Sequence, residues 1–402
     1  MIQFLKRYGL SLAFNFTKGH FMLGRIVSRF LSLVAVCLTI TASFSVLAEP
    51  IVVTDVAGRQ VTLAQPASRV ILADARALMA LNIIHPQTPL KGIIAWDNSL
   101  KVKAADLVEA YAKKFPEVNN IPIFDNPYVT DFSVERAVSL RPDLIIFDTG
   151  LLAKLKASGV LAQLDKSGIP VLFIDFRQQP LTNTIPSMQL LGKVFGEEKN
   201  AEDFIQFYQQ RLNLIRQRVA TLKPEQRPSV FIERHAGMTG ETCCSTFGKG
   251  SFGQFIAEAG GNNMGSQLFP EMGGEINVEQ LIASNPDFYL MTGADWSRGH
   301  KGSVAVPLGY NTDTATTQTK LAHLMGRTGV SILKSVQDKK VMAVYHQFYD
   351  SPLNVVAVEA IAKFLHPELF ADLDPQADLE MIHQKFTAID YSGVFWVTAL
   401  RP

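Results

Sequence analysis

Two stretches of this chain repeat each other. Residues 131–150 read DFSVERAVSLRPDLIIFDTG, and residues 275–294 read EINVEQLIASNPDFYLMTGA. Each starts as a short helix carrying Val-Glu, stops at Pro-Asp, and runs on into an apolar segment. Proline ends such a helix because it has no N–H to donate and restricts the residue before it. LIIF and FYLM lack the alternation of a half-exposed strand, which predicts parallel strands covered on both faces. Only four positions in twenty are identical, but the flanks repeat as well. RVILADAR (69–76) and SVFIERHA (229–236) precede the two copies, and PVLFIDFR (170–177) and KVMAVYHQF (340–348) follow them. The spacing predicts one α/β lobe used twice.

A length of 402 residues also favours two domains. Between the halves, residues 197–222 place Ala201, Phe204, Ile205, Tyr208, Leu212, Ile215, Val219 and Leu222 at steps of three and four, the stripe of an amphipathic helix. Gly196 and Pro224 bound it. At ~1.5 Å per residue, such a helix spans roughly 39 Å, long enough to join two lobes and stiff enough to limit their hinging. The predicted fold is therefore α/β: two Rossmann-like lobes with parallel sheets, joined by one long helix, with a ligand cleft between them. The expected divisions are a signal peptide at 1–48, an N-terminal lobe at 49–195, the helix at 196–223 and a C-terminal lobe at 224–402.

Residues 1–48 hold Lys6, Arg7, Lys18, Arg25 and Arg29 and no acid. Arg25 and Arg29 precede the apolar run FLSLVAVCLTITASFSVLA, and Val46 and Ala48 fit the small-residue positions of a signal cleavage site. Met22 is a plausible alternative start to Met1, and an uncleaved anchor is the competing reading. Later residues contain no apolar run of about 18 that would suggest a membrane span. The expectation is a soluble, periplasmic protein. The remaining chain carries 33 basic and 37 acidic residues, which gives no electrostatic footprint for nucleic acid. Cys37 leaves with the signal; Cys243 and Cys244 remain, without the spacing of a zinc site. They are expected to shape their loop, reduced or as a bridge between neighbours.

The opening VTDVAGRQVTLAQPASRVI (53–71), the paired Glu-Pro-Asp units, the AGGN turn at 259–262 and the late HPELF (366–370) add up to a resemblance. Over residues 50–370 the chain resembles the periplasmic binding proteins of iron-siderophore, haem and cobalamin ABC importers. The resemblance implies that Glu135 and Glu279 dock onto arginines of the membrane permease. It implies a ferric siderophore or related chelate as cargo, no cofactor beyond the iron in that cargo, a monomeric receptor and no enzymatic activity. Solvent-facing helix residues are the plainer reading of both glutamates.

In open α/β sheets, ligands bind beyond the carboxyl ends of the strands. Those ends supply Asp74, Arg76, Trp96, Asp97, Asp148, Thr149, Asp175 and Arg177 in the first half. Arg234, His235, Thr292, Trp296, His346 and Tyr349 follow in the second. The candidate ligand-binding residues are Arg76, Trp96, Tyr128, Arg177, Arg234, His235, Trp296, His346 and Tyr349. Arginine forks suit oxygen-rich anions, and aromatic rings offer flat apolar area. The set describes a cleft for a bulky anion. The alternatives are ordinary ion pairs of Arg76 with Asp74 and of Arg177 with Asp175, a core role for Trp96, and a structural role for His346. No metal site of the protein itself is expected; direct coordination of the metal by His235 with His346 or a tyrosine is the competing reading.

Haem, cobalamin or an oxyanion such as molybdate are alternative cargoes, although the aromatics lean toward a larger one. A secreted enzyme with Cys243 or Cys244 as nucleophile and His235 as base is the remaining alternative. No nucleophile elbow, zinc-protease helix or phosphate loop supports it. The segment 297–320 reads as either a lid over the cleft or a structureless loop.

Overall fold

The computed structural model describes residues 49–297 and 299–399. The predicted signal segment, the choice between Met1 and Met22, and Cys37 lie outside the described residues. A hairpin comes first, β1 (Ile51–Thr54) with β2 (Gln60–Leu63). The N-terminal lobe is built on β3 (Val70–Leu72), β4 (Ile93–Asp97), β5 (Ile123–Phe124), β6 (Leu144–Asp148) and β7 (Val171–Ile174). They form one parallel sheet in the order β5-β4-β3-β6-β7. All five residues of β6 are buried, as the unbroken apolar run predicts for a strand covered on both faces.

The C-terminal lobe contains β8 (Ser229–Glu233), β9 (Ser245–Phe247), β10 (Asn262–Asn263), β11 (Gly273–Glu275), β12 (Phe288–Gly293), β13 (Val341–Tyr345) and β14 (Trp396–Thr398). Its order is β11-β9-β8-β12-β13-β14, with β10 also pairing β8. The strands β10, β8, β12 and β13 run parallel, while β9, β11 and β14 are antiparallel additions absent from the sequence-based reading.

The repeat holds in three dimensions. Val70 pairs Leu144 in the first lobe, and Val230 pairs Phe288 in the second. The Pro-Asp turns explain their own recurrence. Asp143 accepts the Ser68 N–H and hydroxyl, both at 2.8 Å, and Asp287 accepts those of Ser229 at 2.8 and 2.7 Å. In each lobe one carboxylate thus ties the start of the first strand to the strand beside it.

The linking helix spans Glu198–Val219, 22 residues rather than the predicted 26. Its buried face is the predicted stripe from Ala201 to Val219; Leu222 falls beyond its end. It is fastened to both lobes. The Tyr208 hydroxyl donates to Asn354 at 2.8 Å, and the Asn354 amide donates to Thr184 at 2.9 Å. Arg211 pairs with the buried Glu359. A second fastening comes from the C-terminal tail. The Ala388 N–H donates to Asn82 at 2.9 Å, and Lys114 pairs with Asp390 at 2.6 Å. The buried Asp106 of the first lobe accepts the Tyr310 N–H at 3.1 Å and the Tyr345 hydroxyl at 2.8 Å.

The 297–320 segment is neither a long structureless loop nor a free flap over its described length. At Gly299 it lies against the Val102 carbonyl of the first lobe, where a Cβ would stand 3.2 Å away. It then enters the Thr314–Met325 helix, whose first turn Asp313 caps at the Thr316 N–H. Among the described residues no helix is long and apolar enough to cross a membrane.

Candidate functional site

The first lobe delivers Arg76 one turn beyond β3. Its guanidinium is forked onto Asp74, Nε to Oδ1 at 2.9 Å and Nη2 to Oδ2 at 2.7 Å. The remaining Nη1 reaches the second lobe, donating to the Tyr349 hydroxyl at 2.8 Å and pairing with Asp350. Arg177 follows β7. Its guanidinium carbon lies 4.5 Å from the centre of the Tyr128 ring and 5.3 Å from that of Tyr349, within cation–π range. Its Nε stands 3.9 Å from Asp350. Of the two ion pairs weighed from sequence, Arg76–Asp74 forms, buried rather than on the surface. Arg177–Asp175 does not: the Asp175 carboxylate is taken by the backbone N–H groups of Arg177, Gln178 and Gln179 and by the Asn183 amide.

The second lobe delivers Arg234 and His235 from the end of β8. Arg234 sits 5.6 Å from the centre of the Phe247 ring. His235 takes a left-handed backbone, φ 56°, and its N–H donates to Thr292 at 3.0 Å. The same Thr292 oxygen lies 3.0 Å from His346 Nδ1, so one hydroxyl holds the His235 backbone and the His346 ring. Their ring centres are 4.4 Å apart, and Trp296 and Tyr349 pack against them. Burial, then the charges of Arg234, Lys103, Arg177 and Arg76, push His235 down to about 2. Burial, His235 and the arginines hold His346 well below its ordinary value. Both rings are therefore neutral at neutral pH.

Lys103, at the end of the Ser99–Lys103 helix, also faces this cluster: burial and then Arg76, Arg177 and Arg234 lower its pKa. Four cations thus share a site that holds Asp74 and Asp350. The Nε and Nη1 of Arg177, the Nε of Arg234 and the Nε1 of Trp296 are buried and make no hydrogen bond. Beside Arg76, a cavity of about 20 Å³ is bounded by Asp74, Asp148 and Asp350, room for about one water. The Tyr128 hydroxyl donates to Asp148. Burial and the neighbouring Asp175 push the Asp148 carboxyl up to about 7.

The structure therefore gathers Arg76, Tyr128, Arg177, Arg234, His235, Trp296, His346 and Tyr349. Trp96 stands apart from them. It is buried within β4, and its ring joins none of the ring contacts linking the others among the described residues. Lys103, Asp350 and Phe247 were missed. Asp350 directly follows Tyr349, so extending the strand-end rule by one residue would have found it. Cys243 and Cys244 are joined as a disulfide, which leaves neither as a free thiolate. Glu135 and Glu279 are exposed, each at the second position of its helix after Ser133 or Asn277 caps it. Neither forms an ion pair among the described residues.

A family model described as periplasmic binding protein matches residues 88–346. The chain belongs to this family, the substrate-binding proteins of ABC transporters, and its two-lobed fold is that of solved members. A periplasmic binding protein from Veillonella parvula, described as TroA-like and named FepB, is 29% identical over 87% of this chain and all of that one, with a TM-score of 0.79. The molybdate-binding protein MolA of Haemophilus influenzae is 20% identical over 90% of this chain and 97% of its own. CeuE of Helicobacter pylori shares the fold at 17% identity, covering 85% of this chain and 97% of that one, with a TM-score of 0.62.

Proposed function

We propose that this protein is exported to the periplasm, binds an anionic ferric siderophore in the cleft between its lobes, and delivers it to an inner-membrane permease through Glu135 and Glu279. One observation carries this reading: Arg177 and Arg234 present buried N–H groups without acceptors, framed by Tyr128, Tyr349, Phe247 and Trp296. Unpaired buried donors cost free energy until an acceptor arrives. A chelate with several anionic oxygens and flat rings answers both features. Among the described residues no group of three or more His, Cys, Asp or Glu is arranged to hold a metal. On this reading the chelator supplies the iron's ligands, and His235 and His346 stand where an imidazole could fill a position it leaves open.

Molybdate is the second reading. The similarity to MolA over most of the chain favours it. The test is to isolate the protein from iron-limited periplasm and identify what co-purifies by mass spectrometry and visible absorbance. A broad charge-transfer band and a chelator mass support the siderophore. Molybdenum without iron supports the oxyanion, and a Soret band selects haem. If the band persists unshifted in His346→Ala, the imidazole is no ligand of the iron.

A further inference from the structure

Asp350 stands where an anionic ligand would stand. It closes the His346–Asp350 turn of the second lobe, yet its carboxylate faces two arginines of the first, paired with Arg76 and 3.9 Å from Arg177. It is buried, at 6% exposure. Arg76 does not need it, because Asp74 already fills the fork on the other edge of that guanidinium. Nor does it satisfy the site: Arg177 Nε and Nη1 and Arg234 Nε remain without acceptors.

We infer that the Asp350 carboxylate occupies the anion subsite of the cleft, and that an incoming anion binds by displacing it from Arg76 and Arg177. The inference rests on the cargo reading only in that the cargo enters this cleft; it holds for any anion. A group with one carboxylate replaces like with like and gains nothing. An oxyanion or chelate with several acceptor oxygens reaches the N–H groups that Asp350 leaves empty, and that difference drives the exchange. The groups facing Asp350 are Arg76 and Asp74 from the turn after β3, Asp148 across the small cavity, Arg177 from beyond β7, Arg234 of its own lobe, and the hydroxyl of its neighbour Tyr349. Burial, the first cause, raises its carboxyl above the usual range, and Asp74 adds to this against the pull of the two arginines. Its charge is therefore held at a cost that release would relieve.

The test is calorimetric titration of the full mature protein and Asp350→Asn with two probes, inorganic molybdate and a ferric tris-catecholate. The amide keeps the shape and removes the charge. The expected result is tighter binding of both anions by a similar factor, about tenfold or more, the scale of one charge-assisted contact. Asp350→Glu, which keeps the charge, is expected to stay within a few-fold of wild type, and Asp350→Ser serves if the amide variant does not fold. Unchanged or weaker binding in the neutral variant overturns the inference, as does failure of every protein to bind either anion. Tighter molybdate binding with no ferric chelate bound by any variant supports the displaced carboxylate and sinks the siderophore reading alone.

Discussion

Arg76 and Tyr349 stand 273 residues apart in the chain, and the Arg76 Nη1 donates to the Tyr349 hydroxyl at 2.8 Å across the two lobes. That bond joins the part of the cleft that holds the lobes together to the part that has donors to spare. Arg177 belongs to the second part. Arg177→Ala is expected to weaken binding of the co-purifying cargo by about 10- to 100-fold, the loss of one or two charge-assisted hydrogen bonds. Circular dichroism melts within a few degrees of wild type would show that the fold is kept. A full-affinity variant would remove Arg177 from the site.

Glu135 and Glu279 occupy matching positions on matching helices, exposed and free of ion pairs among the described residues. Reversing both charges, Glu135→Lys with Glu279→Lys, is expected to abolish cargo uptake by whole cells while leaving the affinity of the purified protein unchanged. A fall in affinity would place the glutamates in the fold or the cleft instead of at a permease.

Asp97 is buried, and one of its oxygens has no hydrogen-bond partner. Burial and the neighbouring Asp74 push its carboxyl up to about 7, against about 3.9 in an unfolded chain. Between these values the folded state holds a proton that the unfolded state has lost. The stabilising contribution is complete below about pH 4 and disappears as pH rises toward 7. Asp97→Asn is expected to remove this slope, so that its melting temperature relative to wild type rises from pH 5 to pH 8. Parallel thermal melts of the two proteins across that range decide it.

The paired serine–aspartate ties make a comparison available within one molecule. Asp143→Ala frees the backbone N–H groups of Ser68 and Arg69 and the Ser68 hydroxyl, and Asp287→Ala frees the N–H and hydroxyl of Ser229, at the start of a central strand. These bonds are exposed, so each loss is expected to cost about 0.5–1.5 kcal/mol in urea unfolding. The two losses are expected to add, because the sites share no partners. Strong non-additivity would mean that the lobes do not carry these ties independently.

The lobes were legible in the sequence because their signals are local. Pro142-Asp143 and Pro286-Asp287 each mark a turn, and the apolar runs behind them are buried strands. The Glu198–Val219 helix announced itself by its period. The strand-end rule also found most of the cleft, because it needs only knowledge of where each strand stops. What escaped were relations between distant segments. Nothing near Lys103 in sequence distinguishes it from an ordinary helix-end lysine; only the fold brings three arginines to it. Asp350 reads as a turn residue until Arg76 and Arg177 are seen facing it. The antiparallel strands β9, β11 and β14 are three residues each, too short to show a period.

The tail that returns to Asn82 and Lys114 changes how entry must work. A box fastened along two edges is not opened by swinging its halves apart. Its doorway is cleared when whatever stands in it steps aside. On the proposed reading, capture and release then follow the pace of a few side chains at the threshold.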